Sequence, residues 1–145
     1  MNRITGIAFA GLASGGAYLA AQAIDIATTG NNTDDRMLLG ALAPLDRDEA
    51  VSTGTAMHLV NSIVFAGIFR FVGRDLLTGP MWIRGLTFAL IETIALYPLS
   101  VFERFHPAIR DGRLPTYRTP VGFAQQVWRH VALGIVLGLA TPKRN

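Results

Sequence analysis

Four apolar segments of membrane-crossing length dominate this chain, at residues 4–26, 55–73, 80–102 and 120–140. A helix rises about 1.5 Å per residue, so roughly 20 residues cover the roughly 30 Å of a bilayer's hydrocarbon. In hydrocarbon every backbone amide must be satisfied within its own segment, which restricts such segments to helices. Four spans use more than half of 145 residues and leave no soluble domain of useful size. The expected fold is therefore all-α, a polytopic membrane four-helix bundle in a single domain, residues 1–145.

Composition narrows the function classes. Mean hydropathy is only +0.35 because polar groups interrupt the apolar segments. The chain carries 13 Lys and Arg against 10 Asp and Glu, but the Arg residues are scattered among apolar segments and form no basic stripe, so nucleic acid is not an expected partner. With 0 Cys, disulfides, thiolate metal sites, iron–sulfur clusters and thiol catalysis are excluded.

Helix ends are punctuated. Asp46 with Glu49 forms a capping-box signature ahead of the second span, which predicts a helix that begins before the membrane does. Pro80 and Pro120 suit first helical positions, and Pro98 should kink or end the third span. Ala21-Gln22-Ala23 resembles a signal-peptide cleavage site, but the apolar run before it is longer than a typical h-region, so the first segment reads as a span.

The connections differ in character. The stretch 28–53 is polar and acidic, with a short helix expected around Met37-Leu38-Leu39 and a weak glycosylation sequon at Asn31-Asn32-Thr33. A tight turn at 74–79 makes the second and third helices antiparallel neighbours. Residues 103–119 hold Arg104, Arg110, Arg113, Arg118 and Tyr117 and read as a structured interfacial loop. The Asp34-Asp35 pair and His106-Pro107 read as solvated surface.

Projection at 100° per residue gives each span one polar or small stripe. The stripes are Gly11, Ser14, Gly15, Tyr18, Gln22 and Asp25; His58, Asn61, Ser62, Phe65 and Phe69; Gly85, Ala89 and Glu92; and Gly122, Gln125, Gln126, Arg129 and His130. Lipid is as apolar as Leu, so these stripes should turn inward, with Gly11, Gly15, Gly85 and Ala89 allowing close helix packing. A charge at the bilayer centre costs about 2.5–3.5 kcal/mol even on a lenient scale. Glu92 and Arg129 lie near the middles of consecutive antiparallel spans, so the expectation is a buried Glu92–Arg129 ion pair flanked by His130, Gln126, His58 and Asn61. Arg70 and Arg84 sit near the short turn and can snorkel to headgroups.

The simplest reading of that cluster is structural, fixing helix register; the functional one is a proton, quinone or ligand site. His58 and His130 could in principle bind haem or a chlorophyll-type pigment, while no metal-ligand spacing, phosphate loop, nucleophile elbow or dinucleotide fingerprint is present, and no catalytic residues are assigned.

Arg84-Gly85 through Glu92 and Tyr97-Pro98, His106-Pro107, Gly112 with Leu114-Pro115, and Gln126 with Trp128-Arg129-His130 together resemble a set of uncharacterised small four-helix membrane proteins of bacteria. The resemblance covers roughly the C-terminal half, and the glycine-rich first helix departs from it. It implies a fold and a bacterial inner membrane, and no activity.

The leading expectation is a non-enzymatic accessory or scaffold subunit, packed against other membrane subunits and lipids, since so small a bundle has little interior to enclose a substrate. The alternative is a protein with its own intramembrane polar site for a proton, quinone, pigment or small amphiphile, with no cofactor required. Positive charge is nearly balanced between the two sides, and the Lys143-Arg144 tail after the last span favours cytoplasmic termini.

Overall fold

The computed structural model describes residues 2–142, which are helical with no strand among them. Four long helices are α1 (Arg3–Thr29), α3 (Arg47–Leu76), α4 (Met81–Phe105) and α6 (Pro120–Ala140); two short ones are α2 (Asp35–Gly40) and α5 (Pro107–Arg110). Three of them, α1, α3 and α4, are long and apolar enough to cross a membrane. The polar residues of α6 keep it out of that set, although its 21 residues extend about 32 Å.

Helix ends follow local chemistry. Asp46 and Glu49 close a capping box, Glu49 N–H donating to Asp46 Oδ1 at 2.9 Å and Asp46 N–H to Glu49 Oε2 at 3.3 Å. The helix thus begins well before the apolar stretch that starts at 55. Thr119 caps α6 by accepting from Gly122 N–H, with Pro120 in the first helical position. Pro80 instead occupies the cap itself, one residue before α4. In α4 the α-helix tightens into 3₁₀ turns from Tyr97, as expected where Pro98 supplies no backbone donor. One wide turn interrupts α3, where Arg74 N–H reaches Phe69 O.

The order of packing is α4 on α6, α6 on α1, and α1 on α3. Small residues make these contacts close. A Cβ at Gly85 would strike the backbone of Gly134 and Gly138 on α6, and one at Gly11 would strike the backbone of Ile63 and Ser62 on α3. Gly15 faces Ser62, and Ala89 is fully buried. The short turn between α3 and α4 leaves them packed together near it, where Phe88 meets Phe65 and Phe69, and beyond it they stand apart across a cleft.

Short helix α2 lies on α3 with Gly40 against Ala50 and Gly54 against Arg36. This contact pulls the 30–46 connection inward. A second small core forms beneath it from Met37, Ala41, Ala50, Ala108, Leu114 and Tyr117.

Candidate functional site

Arg129 is 0% exposed, the largest fully buried side chain among the described residues. Its guanidinium grips Asp25 with both arms of a fork, Nε to Oδ2 at 2.6 Å and Nη2 to Oδ1 at 2.7 Å. Nη1 donates to Asp35 Oδ2 at 2.8 Å and to the Thr33 carbonyl at 2.7 Å, and Nη2 also reaches Thr33 Oγ1. One guanidinium therefore serves two carboxylates, which is the bidentate geometry that Arg alone provides. Neutral donors share the excess negative charge: Gln125 donates to Asp25, and Gln126 and Tyr18 donate to Asp35. Gln22 ties in Asp34 and the Asp35 backbone.

The expected Glu92–Arg129 pair does not form. Glu92 lies instead 2.8 Å from His130 Nε2, while His130 Nδ1 contacts the Gln126 carbonyl at 2.7 Å. Two acceptors at two ring nitrogens match an imidazolium, and leave neither nitrogen free for a haem or pigment metal. Tyr18 sits between the two histidines, 4.5 Å from the His58 ring and 5.1 Å from the His130 ring. His58 Nε2 is buried with no hydrogen-bond partner.

These groups face the cleft between α3 and α4, a cavity of about 760 Å³. Polar groups come from five helices: Tyr18, Asp35, His58, Asn61, Glu92, Gln126 and His130. Val64, Ile68, Leu96, Leu99 and Phe102 add an apolar lining, and Val64, Leu99 and Phe102 remain 57%, 57% and 61% exposed. Glu103, His106 and Tyr117 line it further along the chain, past Pro98. Tyr117 N–H donates to Glu103 Oε2 at 2.7 Å, and Thr116 Oγ1 also binds Glu103. Among the described residues the buried Tyr117 hydroxyl makes no hydrogen bond of ordinary geometry, although the Asp35 carboxylate lies close to it. Burial first, then the Asp35 charge, pushes this phenol well above its ordinary pKa, so it remains an O–H donor.

Sequence reading had placed several of these groups in solvent. Asp34 and Asp35 are 5% and 7% exposed, because the α2 connection turns in toward the helices. Thr33 of the sequon is fully buried, and its Asn31 side chain donates to Gln125 Oε1 at 2.7 Å, so the motif is tied into the helix packing. Tyr117 is buried rather than interfacial, and His106 binds the Leu38 carbonyl at 2.8 Å. Arg84 donates to the Gly79 and Arg74 carbonyls, bracing the α3–α4 turn. Arg70 keeps one buried nitrogen with no hydrogen-bond partner among the described residues. Among the described residues no group of His, Asp and Glu is disposed to hold a metal ion. The chain matches no protein-family model, and no curated protein or solved structure shows significant similarity to it.

Proposed function

We propose that this protein is a four-helix membrane protein of a bacterial inner membrane that binds a small amphiphile in the cleft between α3 and α4. The observation that carries the reading is the cleft itself, with polar groups from five helices and exposed aliphatic side chains beside them. Three helices have the length and hydropathy to span. The fourth, α6, packs between α1 and α4 and turns Gln125 and Arg129 inward, so its polarity is no obstacle to crossing with them.

Cavity size bears on the choice between a ligand and a partner subunit. The volume of about 760 Å³ falls within the roughly 300–1,000 Å³ of small-molecule pockets. A transmembrane helix about 10 Å wide and about 30 Å long would need roughly three times as much. The premise that so small a bundle lacks an interior thus fails for this chain, and the accessory-subunit reading loses its main support.

The test is purification from native membranes in mild detergent after an alkaline carbonate wash, followed by native mass spectrometry. The expected result is retention in the washed membrane and one bound amphiphile per chain, lost when Leu96→Trp fills the cleft. Release by carbonate would overturn the membrane assignment. A ligand-free chain that co-purifies with larger subunits would restore the accessory reading.

A further inference from the structure

The cleft's chemistry also restricts the head of its ligand. Resting on the binding reading above, we infer that the cleft selects an amphiphile with an uncharged, hydroxyl- or carbonyl-bearing head and discriminates against phosphate-headed lipids.

Asp35, Glu92 and Glu103 line the cleft, and among the described residues no Arg or Lys does. The cation that lines the cleft, the His130 imidazolium, is taken up by Glu92, and the buried guanidinium of Arg129 is committed to Asp25 and Asp35. A phosphate head entering here would meet three carboxylates and only the Glu92-paired imidazolium, with no guanidinium or ammonium to take its charge, an arrangement that disfavours it by like-charge repulsion and desolvation.

Hydrogen bonding then separates neutral heads from cationic ones. Each lining carboxylate already has partners: Arg129 for Asp35, His130 for Glu92, and Tyr117 N–H for Glu103. Among the described residues, what lacks a hydrogen bond of ordinary geometry is the imidazole Nε2 of His58 and the phenol of Tyr117, the latter with the Asp35 carboxylate close by, both buried and both on residues that line the cleft. A phenol O–H needs an acceptor, and imidazole nitrogen donates or accepts according to tautomer. An ammonium head supplies donors only. A hydroxyl supplies both roles, and a carbonyl supplies the acceptor that the phenol requires. Buried polar groups left unpaired are costly, so a head that satisfies them gains most from entering.

Native mass spectrometry of the delipidated full-length chain provides the test, with monoolein, phosphatidylglycerol and oleylamine as competing probes at equal concentration. Monoolein should bind at least tenfold more tightly than either charged probe. Tyr117→Phe and His58→Phe should each weaken monoolein by about three- to tenfold and leave the charged probes unchanged, the loss expected for one net hydrogen bond. Preference for phosphatidylglycerol or oleylamine, abolished by Leu96→Trp, would overturn the head assignment while preserving the cleft as a binding site. Binding of every probe unaffected by Leu96→Trp would remove the cleft reading itself. Circular dichroism of each variant separates lost contact from lost fold.

Discussion

Replacing Arg129 with Met should be among the most damaging single substitutions in this protein, and its effect should be coupled to Asp25 rather than Glu92. Both partners are buried, with side-chain exposures of 0% and 7%, so solvent screening does not dilute their interaction. Removing one member of a buried pair costs about 3–5 kcal/mol because the other charge is left uncompensated. Arg129→Met strands two carboxylates, Asp25 and Asp35, and belongs at about the upper limit of that range. Asp25→Asn leaves Arg129 one carboxylate and belongs near the lower limit. In SDS-titration unfolding from mixed micelles, the Arg129–Asp25 cycle should show about 2–3 kcal/mol of coupling. Arg129→Met and Glu92→Gln, which remove no shared hydrogen bond, should add within about 0.5 kcal/mol. The triple change Arg129→Met, Asp25→Asn, Asp35→Asn should be more stable than Arg129→Met alone, since it strands no carboxylate in the cluster. An Arg129→Met loss below about 1 kcal/mol, or stronger coupling to Glu92 than to Asp25, would refute the cluster as described.

Three further outcomes follow from individual contacts. Gly85→Leu should destabilise by about 1–3 kcal/mol or more, because its added atoms meet the α6 backbone rather than a side chain that can rotate away; the unfolding titration that finds it neutral would show that α4 and α6 are not so close. Asp34 is pulled toward higher pKa by burial, but Arg36's hydrogen bonds and charge, with backbone N–H groups, outweigh this and hold the carboxyl below its ordinary value. Its contribution is therefore present above the ordinary carboxylate pKa and lost as pH falls through the lower folded value, so stability measured below about pH 4 should fall less steeply in Asp34→Asn than in the wild type. Asp46→Ala removes the α3 capping box and should cost about 1 kcal/mol, read by the same titration.

Much of the helical framework was legible because bilayer length, small-residue stripes and capping residues are local signals. The stripe on α1 is an instructive case: Gly11, Ser14, Gly15, Tyr18, Gln22 and Asp25 are all buried. Choosing Arg129's partner required tertiary information. Matched depth on consecutive helices pointed to Glu92, but it could not register that α2 docks on α3 and carries Thr33, Asp34 and Asp35 into the interior. A signal was nevertheless available in Asp25, which shares the inward stripe of α1 and needs a cation once buried. The cleft was illegible for a related reason. A tight turn makes two helices antiparallel at one end, yet their separation further on is set by how α1 and α6 fill the space behind them.

Photocrosslinking in native membranes with a monoacylglycerol bearing a diazirine in its acyl chain tests most directly whether an amphiphile occupies the α3–α4 cleft. Adducts mapped by peptide sequencing should concentrate around Val64 and Ile68 on α3 and Leu96, Leu99 and Phe102 on α4, and Leu96→Trp should abolish them. Phe9, Leu12 and Val121 are exposed apolar side chains outside the cleft and serve as internal controls. Adducts distributed evenly between those controls and the cleft walls, and insensitive to Leu96→Trp, would mean that lipid merely coats the helices and that the cleft holds no ligand.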